Sequence, residues 1–388
     1  MRITSTPVAT GSAFLSMFFL GVGVAIVGAT ARAVGLAPAQ IGYLVAAQNV
    51  GFGLAVVIAG ALSDVYRKPI ILTVGLVMLG LAFGLLYRSE IFAVNLAVMV
   101  VMGGGMGVAE AVTDAWLLEM HTRNESRLVT VNHLAVSVGS VVITLYLMAL
   151  ELDWQASLSQ VAVVLGALAA LTAFLRPPGH EAAATAAGKA VRELSTDAGI
   201  VLLMLCAVGT VGLEAGSAGV ITTFVVEMRG ADTESAQYML ALFLVGLAAG
   251  RVVMGAIGGR GRPARLVAAS ALATLVVAIL FYLVPLPLPA VAAAAFVLGM
   301  TVGPLLPLII ATAGLRFRHI AGTAMGMVKF AIPVGGIVIP GVIGLLSDTL
   351  SFRIALYVFP AAALLVLVAT LAGERRVRAA GVQTDAGS

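Results

Sequence analysis

Five charged side chains stand where charge is costly: Glu110, Asp114, Glu214, Arg251 and Lys329 each interrupt a long apolar run. A charge near the middle of a bilayer costs about 2.5–3.5 kcal/mol on insertion scales, so each must look onto a cavity, a partner or the water interface. A carboxylate so placed can take up and release a proton, and an ammonium can neutralise it or hold an anionic group. Asn132 and His133 add an amide and an imidazole ring, groups that can hydrogen-bond or carry a proton. Binding and proton exchange are the chemistry these residues could do. The sequence has neither a Gly-x-x-x-x-Gly-Lys-Ser/Thr phosphate loop nor a His-Glu-x-x-His zinc motif, and Cys206 stands alone, so no disulfide framework or thiolate zinc site can form. No soluble stretch is long enough for an active site. An enzyme, ATP hydrolysis, a cofactor and a metal are not expected.

Each residue has a plainer reading beside the functional one. For Glu110 and Glu214, substrate or proton binding is favoured over a structural hydrogen bond to a neighbouring helix. Lys329 is either a counter-ion to one of these carboxylates or a direct substrate contact. Asp114 follows Glu110 by one helical turn, near the end of its run, where pairing with Arg123 or Arg127 is the expected use. His133 is a candidate proton carrier, although a ring beside Asn132 more often hydrogen-bonds across helices. Arg251 is expected to snorkel to the headgroups. Gln48 and Asn49 either line a cavity or join helices. At about 1.5 Å rise per residue, Glu110, Asn132, His133 and Lys329 fall at similar depths, with Glu214 somewhat displaced. A water-accessible chamber lined by Glu110, Glu214 and Lys329 is the expectation.

The elements that must position these groups are long and apolar. Hydrophobic residues make up 61% of the 388 and charged residues only 10%, more apolar side chain than a water-soluble globule can cover. Runs long enough to cross roughly 30 Å of hydrocarbon recur at 8–31, 41–62, 70–87, 91–118, 128–149, 157–175, 198–226, 236–258, 265–284, 288–313, 320–346 and 354–372. The spacing predicts an all-α membrane protein of twelve transmembrane helices in two parallel six-helix bundles, 1–175 and 198–373. Between them 176–197, opening with Pro177, Pro178 and Gly179, reads as a cytoplasmic linker, and 374–388 as a cytoplasmic tail. With the amino terminus inside, sixteen of the 22 Lys and Arg fall in cytoplasmic segments, against Arg32, Arg88, Arg229 and Arg353 in outer ones. That bias predicts both termini in the cytoplasm and residence in the cytoplasmic (inner) membrane. Pro333 and Pro340 are expected to bend the eleventh run beside Lys329.

An internal repeat supports the same division. Gly60-Ala61-Leu62-Ser63-Asp64-Val65-Tyr66-Arg67-Lys68-Pro69 follows the second run, and half the chain later Gly255-Ala256-Ile257-Gly258-Gly259-Arg260-Gly261-Arg262-Pro263 follows the eighth. Six spans apart, the two copies share one side of the membrane, which makes the repeats parallel.

The first of these loops resembles the motif of the major facilitator superfamily. The resemblance implies a gating role for Asp64, Arg67, Lys68 and Arg262 at the cytoplasmic helix ends, with Gly259 in the second copy where the first has an acid. Gly105-Met106-Gly107-Val108-Ala109-Glu110, followed by Asn132-His133, is similar to the fucose permease-like sugar:proton symporters, as is Gly212-Leu213-Glu214-Ala215-Gly216-Ser217. By that likeness Glu110 would be a sugar-binding, protonatable carboxylate and Asn132 a polar contact. The first helix departs from the branch in offering Thr30 and Arg32 but no acid. The resemblance implies a transporter of a small-molecule substrate, a sugar or polyol, by proton-coupled alternating access. It would act as a monomer in the lipid bilayer with no nucleic-acid partner. Drug or metabolite efflux on the same fold is the alternative, and a non-transporting receptor or scaffold a third reading.

Overall fold

A computed structural model describes residues 5–36, 38–121, 125–149, 154–175, 192, 194, 196–257 and 263–385. Among them twelve helices are long and apolar enough to cross a membrane: Thr6–Thr30, Gln40–Val65, Lys68–Leu85, Phe92–Met120, Ser126–Leu147, Trp154–Phe174, Ala198–Arg229, Glu234–Ile257, Pro263–Leu283, Leu288–Arg316, Arg318–Thr349 and Phe352–Arg376. They are the first to twelfth spans, and each lies within a few residues of its expected run. No strand occurs among the described residues. Helices are the solution lipid imposes, since hydrocarbon offers no partner for a free backbone amide or carbonyl. Large apolar side chains also face outward, as Val163 at 73% and Ile337 at 67% exposure show.

By packing, the chain forms two compact units, Met1–Leu194 with Gly314–Phe330, and Ser195–Ala313 with Ala331–Ser388. In the first unit the second span packs on the fourth, the first on the fifth, and the third on the sixth. In the second unit the eighth packs on the tenth and the ninth on the twelfth, while Gly335 and Ile339 of the eleventh meet Val208 and Gly212 of the seventh. The pairing pattern therefore repeats every six spans, as the loop repeat implies.

Glycine makes these crossings close. A Cβ on Gly103 would run into the Gln48 carbonyl of the second span, and one on Gly246 into the Phe296 carbonyl of the tenth. Small residues at such crossings let backbones approach where lipid supplies no hydrophobic drive between helices. Gln48 is used the same way: buried, its amide donates to the Gly23 carbonyl at 2.9 Å, joining the second span to the first. Asn49 is half-buried and donates to Val45 of its own helix.

Prolines open the backbone in the second unit and arginines close it. Pro307 has no N–H to give the Gly303 carbonyl one turn before it, and Arg251 Nε donates there instead at 3.2 Å. Pro285 likewise leaves Phe281 without a helical donor, and Arg229 Nη2 supplies one at 2.9 Å and a second to Val284 at 2.6 Å. The ninth span ends beside that point in a π turn, Ile279–Leu283. There Tyr282 stacks on Phe359 at 4.1 Å and donates to Ser217 at 2.9 Å. The turn after the seventh span closes on Gly230 in the left-handed conformation. The next helix is capped by exposed Asp232, whose bond from the Ser235 amide holds its carboxyl below the ordinary range.

If backbone contact sets these crossings, Gly103→Ala and Gly246→Ala should each cost about 1–3 kcal/mol, while Gly166→Ala, which meets open space, leaves stability unchanged. Melting temperatures of the three purified variants check this. Equal behaviour of all three would show that the crossings tolerate a methyl group.

Candidate functional site

The fourth span carries Glu110 and Asp114 one turn apart, so both project from one face. The glycines before them, Gly103 to Gly105 and Gly107, let this helix sink against the second and third spans. From the fifth span come Asn132 and His133, and from the eleventh comes Lys329. Glu110 is 3% exposed, Asp114, Asn132 and Lys329 0%, and His133 7%.

These five residues form one cluster in the first unit. Lys329 Nζ is 2.7 Å from Asp114 Oδ2 and 3.3 Å from Glu110 Oε1, and it also donates to the Glu110 carbonyl oxygen. His133 Nε2 lies 3.1 Å from Asp114 Oδ2 and 3.5 Å from Glu110 Oε1. Asn132 Nδ2 donates to Asp114 Oδ1 at 2.7 Å and to Thr113 Oγ1 at 2.9 Å. Asp114 is thus the centre, with one oxygen on Asn132 and the other shared by Lys329 and His133. Glu110 Oε1, 3.3 Å from Lys329 Nζ and 3.5 Å from His133 Nε2, has no partner in hydrogen-bond geometry. Two carboxylates face one ammonium, leaving one negative charge unless a proton sits on His133 or on a carboxylate. Glu110, Asp114 and His133 place ligand atoms within 4.8 Å of one another. Lys329 already supplies a cation at that point.

Two expectations change here. Asp114 is not an interface residue paired with Arg123 or Arg127. Its span runs on to Met120, and the side chain is covered by the fifth and eleventh spans. Arg123 lies outside the described residues, and Arg127 is exposed. Arg251 does not snorkel: at 11% exposure its Nη2 holds both oxygens of Glu214, at 2.9 and 3.1 Å. Glu214 belongs to that pair, in the second unit, while Glu110 and Lys329 belong to the first. Glu214 keeps 29% exposure.

Of the loop residues, Asp64 reaches furthest. Its carboxylate accepts from the amides of Gly322 at 2.8 Å and Thr323 at 2.7 Å and from the Thr323 hydroxyl. These amides open the long helix Ala321–Thr349 and have no acceptor within it. A carboxylate there is favoured by the helix dipole and by charge-assisted bonds. Gly322 and Gly326, spaced as in close-packed membrane helices, lie against Ser63, Gly60 and Val56 of the second span. Lys68 pairs instead with Glu119 at 2.6 Å, and Arg67 reaches the Leu175 carbonyl at 3.4 Å. Arg262 lies outside the described residues.

A model described as Major Facilitator Superfamily matches residues 8–226 and again 203–387. No curated protein sequence matches the chain. Among solved structures the chain is similar to the Escherichia coli fucose:proton symporter FucP, at 15% identity and TM-score 0.79, covering 94% of this chain and 98% of that one. FucP in an outward conformation matches at 14% identity and TM-score 0.76, covering 95% and 98%. The proton:xylose symporter XylE bound to 6-bromo-6-deoxy-D-glucose matches at 15% and 0.66, covering 93% and 94%. At these identities the likeness shows the fold.

Removing one partner of a buried ion pair costs about 3–5 kcal/mol, because a charge is left unpaired. Lys329→Met should therefore lower the melting temperature sharply, and adding Asp114→Asn should recover part of the loss. A cycle of single and double variants is expected to give a coupling above about 1 kcal/mol. Strict additivity would mean that the two groups do not depend on each other.

Proposed function

As the chain belongs to the Major Facilitator Superfamily, we propose that this transporter is secondary active and moves a small neutral polar solute, of sugar or polyol class, coupled to protons. It lies in the cytoplasmic membrane with both termini inside, as the Lys and Arg distribution favours. The observation that carries the reading is the odd charge of the buried cluster. Glu110 and Asp114 exceed Lys329 by one negative charge, and His133 Nε2 lies within 3.5 Å of both acids. Binding one proton neutralises the group. A buried site with one charge to spare is suited to taking a proton from one side and returning it to the other.

The same geometry supports coupling. Without the extra proton, Lys329 of the eleventh span is held by two carboxylates of the fourth. Protonation removes part of that attraction and allows the eleventh span to move away from the fourth. A proton that binds one arrangement more tightly shifts the balance between them by that difference in affinity, which is the requirement for a gradient to drive transport. Lys329 is occupied by Asp114 and Glu110, so its ammonium is not spare for an anionic solute, and a neutral one is favoured. The sugar class is supported by the likeness of fold to the fucose:proton symporter FucP and the proton:xylose symporter XylE.

The test is uptake into proteoliposomes of labelled fucose, xylose and a polyol, with and without an inward proton gradient. Wild type is expected to accumulate one of them only with the gradient. Glu110→Gln should lose at least about tenfold of that accumulation, the scale of about 1.4 kcal/mol, yet keep exchange of solute between equal concentrations. Full gradient-driven accumulation by the variant would remove Glu110 from coupling.

A further inference from the structure

A groove of about 690 Å³ runs along the outside of the second and third spans in the first unit. Its lining is apolar from Ala55 and Met78 at one end to Tyr66 and Arg67 at the other. Ile70 and Val74 form its outer wall, 51% and 54% exposed. Along the third span, Arg67 to Met78 is eleven residues, about 16 Å of helix. Ala55 to Tyr66 on the second span is the same length. One leaflet is half of a hydrocarbon core of roughly 30 Å, about 15 Å. The groove thus has the length of a single leaflet, and its charged end lies between two spans, Gln40–Val65 and Lys68–Leu85, at the depth where a lipid carries its phosphate.

The charge at that end is open. Lys68 is neutralised by Glu119 at 2.6 Å. No carboxylate among the described residues pairs with Arg67, whose contact is the neutral Leu175 carbonyl at 3.4 Å. A guanidinium offers phosphate two parallel hydrogen bonds. We propose that this groove is a binding site for an anionic phospholipid, one acyl chain lying against Ala55, Ile70, Val74 and Met78 and the phosphate held by Arg67. A zwitterionic lipid brings its own ammonium to the same phosphate and leaves the arginine less to gain, so the site prefers a headgroup with net negative charge. The bound lipid would sit beside Asp64, three residues before Arg67, and so beside the cap on the eleventh span.

The experiment uses the purified full chain in detergent, titrated with phosphatidylglycerol, phosphatidylcholine or inorganic phosphate while the melting temperature is followed. Wild type should be stabilised by phosphatidylglycerol at concentrations about tenfold below those needed for phosphatidylcholine, and not by inorganic phosphate. Arg67→Gln should erase the difference between the two lipids. Val74→Trp, at an exposed position that tolerates bulk, should weaken both lipids by filling the groove. Should Arg67→Gln fail to fold, Val74→Trp decides alone: unchanged stabilisation by phosphatidylglycerol overturns the site. So does an equal response of wild type to both lipids, or a response to inorganic phosphate matching that to phosphatidylglycerol. Transport is not read in this assay, so its result stands apart from the coupling role of Glu110.

Discussion

An ammonium with no exposed surface must have its charge answered within a few ångströms, and that demand organises the first unit. Lys329 meets it with Asp114, Glu110 and a backbone carbonyl. To bring them there, the fourth span must present two acids one turn apart, sink deeply enough to exclude lipid, and face the eleventh span at the right depth. The glycines from Gly103 to Gly107 provide the depth, because side chains there would strike the Gln48, Gly75 and Phe52 backbones. The fifth span supplies Asn132 and His133 to fill the remaining positions around Asp114. Pro333 adds a local weakness by withholding the amide that would normally bond the Lys329 carbonyl. A buried ion pair adds little net stability over an apolar substitute, and its retention is better accounted for by specificity or switching.

Charged residues in the second unit do different work. Arg229 and Arg251 both stand in for amides that prolines removed, at Phe281 and Gly303. Arg251 then spends its other nitrogen on Glu214. In hydrocarbon an unsatisfied carbonyl costs several kcal/mol, so these arginines are tied to backbone as well as to an acid. The contrast with Lys329, whose main partners are two titratable groups, separates the two sites by chemistry. Glu214 stays partly exposed and is held by an arginine that does not release its proton.

Much of this was legible from residue types alone. Twelve spans follow from the length of apolar runs, and the repeat of helix pairings follows from the two related loops. Glu110, His133 and Lys329 were marked by the cost of placing them in lipid, and their common depth by rise per residue. Asp114 was misplaced because distance from a span's end measures depth only when nothing covers that end, and here the fifth and eleventh spans do. The one signal for its real position was its spacing of four from Glu110. Arg251 was misread for a related reason: a single helix position reveals neither the acid on another span nor the carbonyl freed by Pro307, more than fifty residues on. The reach of Asp64 to a helix end far away in sequence lay in the tertiary packing, although Gly322 and Gly326 carried the spacing of a close crossing.

The first ten residues of the eleventh span's helix Ala321–Thr349 are held to the second and fourth spans at two points of different chemistry. At its start, Asp64 binds two backbone amides and a hydroxyl, none of which titrates in the physiological range. About 9 Å further along, six residues at 1.5 Å each, Lys329 binds two acids beside His133. Between them Gly326 lies against the Val56 carbonyl, a contact with no side chain to interlock. Under the proposed coupling, a proton arriving at the cluster would loosen one fastener and leave the other, and the helix would gain freedom at the Lys329 end first. Pro333 lies one turn beyond that end, where a bend needs the fewest hydrogen bonds to break. Motion that begins at Lys329 and is anchored at Asp64 is what this placement of charge, glycine and proline allows. Full release of the span requires the cap to yield as well, so protonation alone is a first step and not the whole movement.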